Sequence, residues 1–134
     1  MVEKAFVDTN IFLYAMEAHP KFGKTAKKIL IRIDRKEPAI ISLINIGEIC
    51  WWLEKHRRES EIEEKIKLIC SILNLEIISL ILEDFLLASK FVVKYKLDFN
   101  DCLYLAVMKR FGIKKIYSND THFDKVEWVK RSFE

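Results

Sequence analysis

The run Ala5-Phe6-Val7, entered from Lys4 and stopped by Asp8, constrains the fold more than any other stretch of the chain. No polar residue alternates within it, so both faces of the segment need cover, as in a central strand of a parallel sheet. A helical pattern over residues 11–17 follows at once. In sheets of this kind ligands bind outside the carboxyl ends of the strands, which is where Asp8 would stand. Asp8 or Thr9 would also make a good N-cap for that helix, so position alone leaves a structural and a functional role both open.

The rest of the chain repeats this alternation. Pro20 introduces an amphipathic helix over residues 21–36, with Phe22, Ala26, Ile29, Leu30 and Ile33 on one face. Residues 38–41 read as a second strand, and Ser42 is placed to cap a helix running to residue 57. Ser60 and Glu63 have capping-box spacing for a helix over residues 60–73. A strand over 75–80 and a helix over 82–95 come next, then a helix over 98–111 that stops at Gly112. Residues 113–117 make a further strand, residues 118–122 a polar turn, and residues 127–129 a last short edge strand. Strands separated by helices imply parallel pairing through right-handed crossovers. The expected fold is α/β: a three-layer sandwich around a central, mostly parallel sheet of four to five strands, with one domain covering residues 1–134.

A chain of 134 residues that is 51% hydrophobic and 32% charged buries a real core and is not disordered. Its most apolar long stretch, residues 69–88, is broken by Glu76, Glu83 and Asp84, which excludes a spanning helix. Met1-Val2-Glu3-Lys4 offers no basic leader, so a cytoplasmic protein is expected. Cys50, Cys70 and Cys102 are far apart and lack zinc spacing, and read as buried free thiols. A net charge of +3 proves no partner. Two basic clusters, Lys21 to Arg35 and Lys55-His56-Arg57-Arg58, would suit nucleic acid or simply face solvent.

Four acids sit where acids are costly. Glu48 has Ile44, Trp51 and Trp52 as its helical neighbours, so it lies on an apolar face, where an ionised carboxylate needs a partner. Asp101 repeats the pattern below Tyr104, Leu105 and Met108, although Asp98 to Asp101 also resembles a capping box. Asp120 follows one apolar strand much as Asp8 follows another, and if those strands are neighbours the two acids meet at one sheet edge. Such a set would repel itself unless cations sit among its members, and oxygen ligands of this kind suit Mg²⁺ or Mn²⁺.

Val7-Asp8-Thr9-Asn10, Ile46-Gly47-Glu48-Ile49, Asn100 to Ala106 and Ser118 to Phe123 together resemble the PIN-domain family, specifically its small VapC-like toxin ribonucleases. The resemblance spans almost the whole chain. It implies that Asp8, Glu48, Asp101 and Asp120 form the catalytic, metal-binding cluster, supported by Thr9, Asn10 and Ser118. It also implies an RNA substrate, a cognate antitoxin protein and a homodimer. There is a departure: His122 stands where members often carry an acid before the aromatic, and Asp124, after Phe123, either substitutes at the site or is an ordinary exposed acid. Cys102 replaces a usual Ala in the core.

The expected chemistry is metal-dependent hydrolysis of an RNA phosphodiester with no covalent nucleophile. Two rivals stand beside it. One is a PIN-like RNA- or protein-binding module with an inactive site. The other is a phosphoacceptor receiver domain, which would want an acid ending the strand over residues 75–80, where the chain has Ser79 and Ile81.

Overall fold

The computed structural model describes residues 3–134; the leader reading at Met1 and Val2 lies outside them. Five strands, β1 (Ala5–Val7), β2 (Ala39–Ser42), β3 (Leu75–Ile78), β4 (Lys115–Tyr117) and β5 (Lys130–Ser132), form one sheet in the order β3-β2-β1-β4-β5. All four pairings are parallel, and β1 is central with Phe6 opposite Ile40 on one side and Ile116 on the other. Six helices link the strands: α1 (Thr9–Met16), α2 (Gly23–Arg35), α3 (Leu43–Lys55), α4 (Ile62–Cys70), α5 (Leu82–Tyr95) and α6 (Phe99–Arg110).

Alternation along each strand divides the apolar residues between two layers. Phe6, Ile40, Ile78 and Ile116 face α5 and α6, where Ala88, Phe91, Leu103 and Val107 meet them. Ala5, Val7, Ala39, Ile41 and Tyr117 face the other way, toward Ile11 and Phe12 of α1, Ile29 and Ile33 of α2, and Ile49 and Leu53 of α3. This is the expected three-layer sandwich. Side chains such as Phe6 and Phe12 are wholly inaccessible, and burial of each contributes about 2–3 kcal/mol. Gly112 follows α6 with φ +66°, the left-handed conformation that ends the helix at low cost.

Several local expectations are corrected. The last strand lies at Lys130–Ser132, not 127–129, because Trp128 and Val129 turn inward onto the α5–α6 layer and leave a charged segment to pair with β4. Charge on such an edge discourages pairing with further strands. Ser60 and Glu63 form no capping box: a 3-10 turn at Glu59–Glu61 precedes α4, whose N-cap residue, Glu61, makes no side-chain cap hydrogen bond. Asp98 occupies the N-cap of α6 without a side-chain hydrogen bond, so the capping-box alternative there fails too. Of the three thiols only Cys102 is buried; Cys50 is partly covered and Cys70 exposed. Among the described residues, no helix is long and apolar enough to cross a membrane.

Candidate metal-binding active site

The chain runs outward from β1 to β2 and β3 on one side, and β4 then joins β1 on the other. The carboxyl ends of β1 and β4 therefore flank the switch point of the sheet, where a crevice is left open. Val7 is in register with Tyr117, and the Asp8 N–H donates to the Tyr117 carbonyl at 3.0 Å, so Asp8 and Ser118 emerge side by side. Above them opens a cleft of about 750 Å³ whose walls include Asp8, Thr9, Asn10, Glu48, Asp98, Asp101 and Asp120. It gathers the four expected acids from β1, α3, α6 and the turn after β4.

Asp8 is both the cap and the site residue. It is only 5% exposed; one carboxylate oxygen accepts the Asn10 N–H at 3.3 Å, and the other accepts the Ser118 hydroxyl at 2.7 Å. Ser118 Oγ in turn accepts the Asp120 N–H at 2.9 Å, which fixes the turn carrying Asp120. Asp120 caps the 3-10 turn Thr121–Lys125 and pairs with the His122 ring at 3.1 Å.

A second polar network holds Glu48. Its Oε1 accepts the Thr9 hydroxyl at 2.7 Å and the Tyr104 phenol, and Asn100 Nδ2 donates to Oε2 at 3.3 Å. Thr9 is fixed from behind by Asn45, which donates to Thr9 Oγ1 at 3.1 Å and to the Val7 carbonyl at 2.9 Å. Asn45 also accepts the Ser42 N–H, closing the capping box of α3. Glu48 is thus half-buried against the cleft, not inside an apolar core, and Trp51 is an exposed cleft wall. Asn45 and Tyr104 are supports that sequence reasoning missed. The signal for Asn45 was its place three residues before Glu48, one turn back on the same helix face.

Among the described residues, no Lys or Arg forms an ion pair with Asp8, Glu48, Asp101 or Asp120. Burial pushes Asp8 up to about 6, against the pull of the Ser118 and Asn10 hydrogen bonds, with Glu48 and Asp120 adding repulsion. Asp101 goes up to about 7, first through burial and then through Asp8, Asp120, Glu48 and Asp98. Tyr104 is pushed well above its usual value by burial and by Asp8 and Glu48, which keeps it a hydrogen-bond donor.

As they stand, no three of the described Asp, Glu, His and Cys side chains form a ready-made metal cage. The donor set nevertheless fits a hard divalent cation. Mg²⁺ retains several waters and binds through one or two carboxylates, and an oxygen-only set of mutually repelling acids offers what it needs. Asp124 lies elsewhere. It is exposed, forms a two-pronged pair with Arg131 at 3.0 and 3.2 Å, and is held below the usual carboxylate range by it.

The fold and the acids define a class: a parallel α/β protein with carboxylates gathered at the topological switch point. The model of the PIN domain family matches residues 5–129, and the chain belongs to that family. Among solved structures the fold resembles VapC20 of Mycobacterium tuberculosis, a sarcin-ricin loop cleaving toxin, at TM-score 0.78 and 20% identity over 93% of this chain and 96% of that one. It likewise resembles VapBC2 from Rickettsia felis bound to a promoter DNA fragment (TM-score 0.75, 18% identity, 96% of this chain and 97% of that one). A third likeness is to PAE2754 from Pyrobaculum aerophilum (TM-score 0.64, 20% identity, 97% of this chain and 89% of that one). At these identities the likeness is one of fold. No curated protein is significantly similar in sequence.

Proposed function

We propose that the chain is a single PIN-like nuclease domain that acts as a divalent-cation-dependent endoribonuclease in the cytoplasm. In this reading it is the toxin of a type II toxin–antitoxin pair and works as a homodimer. The observation that carries the reading is the meeting of four carboxylates from four elements in one cleft without a Lys or Arg among them. Structural acids are paired with a fixed cation, as Asp84 is with Arg110; acids kept together with no Lys or Arg among them await a cation. The VapC20 likeness favours RNA over other phosphodiesters, and the VapBC likeness favours an antitoxin partner.

Asp8, Glu48, Asp101 and Asp120 would hold Mg²⁺ or Mn²⁺. When bound there, the ion supplies a water of lowered pKa and charge neutralisation at the scissile phosphate. The chain's own groups do the rest. Ser118 holds Asp8 and the Asp120 turn in place, while Thr9, Tyr104 and Asn100 fix both oxygens of Glu48. Asn10 lines the cleft beside Asp8. Asp101, with no hydrogen-bonded partner among the described residues, is the carboxylate free to turn toward a cation or an attacking water. Both Asp8 and Asp101 retain protons toward neutrality and must release them to bind a cation.

The test is cleavage of structured and single-stranded RNAs by the purified protein with Mg²⁺ or Mn²⁺ and with EDTA, alongside Asp8→Asn and Asp101→Asn. Cleavage that needs the cation and falls at least about a hundredfold in both variants is expected. Full cleavage by the variants would overturn the assignment. Cation binding with no cleavage of any RNA would favour the inactive binding module.

A further inference from the structure

On α3 the cleft wall has a composition that the acid site does not explain. Trp51 lies three residues beyond Glu48, lines the cleft, and is 61% exposed, a costly placement for the largest side chain. The ammonium of Lys55 stands 4.9 Å from its ring centroid. Beside it Trp52, also on the cleft, is stacked on His56 at 3.9 Å with the Arg58 guanidinium 5.5 Å away. One turn before Trp51, on the same helix face, is Gly47. It too lines the cleft, and a Cβ placed on it would meet nothing within 4 Å. A glycine in mid-helix with no packing neighbour weakens the helix without benefit to the fold. What it leaves is a bare strip of backbone beside an exposed indole, between the acids and a cationic helix end.

We infer that Gly47 and Trp51 form a nucleobase-stacking subsite that takes an unpaired base of the RNA strand next to the scissile phosphate. The base lies on the Trp51 ring, its sugar-phosphate passes over Gly47, and Lys55 meets the neighbouring phosphate. Stacking on an aromatic ring is open to any base but demands that the base be out of a duplex, so the substrate class is single-stranded RNA or a loop. The Lys55 ammonium over one face of the Trp51 ring, in no ion pair among the described residues, favours a polyanion over an apolar protein surface as the occupant of the other face, whereas Arg58 is already held by Glu17 and Glu61. Of the two basic clusters in the sequence, only that at the end of α3 adjoins the cleft; no residue of α2 lines it. This inference rests on the ribonuclease reading.

The test measures fluorescence anisotropy of a labelled single-stranded RNA oligonucleotide, of its duplex, and of single-stranded versions carrying one abasic nucleotide at successive positions. Binding is read in Ca²⁺ with the whole 134-residue chain, with Mn²⁺-dependent cleavage run separately. Trp51→Ala should weaken binding of the single strand about tenfold, whereas Trp51→Phe should retain most of it. For one abasic position, wild type and Trp51→Ala should bind alike, since the stacking partner is gone. Gly47→Ala should melt a few degrees above wild type and yet bind the single strand less well, a combination that a structural role cannot give. Unchanged single-strand affinity in Trp51→Ala by a protein that still cleaves RNA would overturn the subsite and leave the nuclease intact. The same unchanged affinity with lost self-association in sedimentation would assign the ring to a protein interface instead. A wild-type protein that neither binds nor cleaves any RNA would overturn both.

Discussion

Asp84 and Asp101 are each an acid in the first turn of its helix, α5 and α6, and those helices pack against one another. Asp84 is 2% exposed, takes Arg110 in a two-pronged pair at 2.8 and 2.9 Å, and accepts the Ile81 N–H at 3.0 Å. Asp101 is partly buried among four further acids, Asp8, Glu48, Asp98 and Asp120, forms no ion pair among the described residues, and is pushed up to about 7. The same residue type in the same helical position is an ion-paired structural acid in one place and, in the other, a proton-holding acid facing a cleft. What separates them is the presence of a fixed positive charge, which only the folded structure supplies.

The largest effect should come from making Asp84 resemble Asp101. Arg110→Ala strands a buried carboxylate and should cost about 3 kcal/mol, read as an earlier urea midpoint with little change in slope. A small loss would mean that the pair is incidental. Next in size is the pH dependence of the site acids without metal. Asp8 and Asp101 titrate in the folded protein at about 6 and about 7, above their ordinary value of 3.8. The folded state therefore binds more protons than the unfolded one between those values, and these two groups make stability fall as pH rises through the window. The penalty is absent below the ordinary value and complete above about 7. Asp8→Asn combined with Asp101→Asn should remove this part of the slope and melt several degrees above wild type at pH 8, in EDTA; an unchanged slope would place the strain elsewhere. Tyr104→Phe removes one donor from Glu48 and leaves Thr9 and Asn100. About a tenfold loss of cleavage is expected, with a modest loss of stability. The smallest effect belongs to Asp124→Ala, which breaks only the exposed pair with Arg131 and should leave cleavage and melting near wild type. A large loss of cleavage there would return Asp124 to the site.

The central strand and the parallel sheet were legible because burial dictates residue type there, and the approach of four acids to one end of the sheet was legible from their places at strand ends and on apolar helix faces. Ala5-Phe6-Val7 can be nothing but a covered strand, and an acid at its end stands out. Legibility failed where partners are distant in sequence. Lys130-Arg131-Ser132 carries no apolar signal because an edge strand needs none, and its pairing is fixed by β4. The Ser60 and Glu63 spacing was overridden by Arg58, which ties Glu17 to Glu61 and shapes the chain entering α4. Periodicity places Glu48 on an apolar face with Trp51 as a neighbour, but it cannot tell a face turned to the core from one turned to a cleft. The Tyr104 hydroxyl was hidden for the converse reason: its ring belongs to the core while its oxygen reaches the site.

The most direct measurement is the melting temperature at pH 8 of wild type and Asp101→Asn, each titrated with Mn²⁺ from an EDTA-treated state. If the acids stand without a Lys or Arg because they hold a cation, wild type starts lower and climbs with Mn²⁺ concentration, while Asp101→Asn starts higher and climbs little. Parallel curves for the two proteins, or a wild type indifferent to Mn²⁺, would contradict the account.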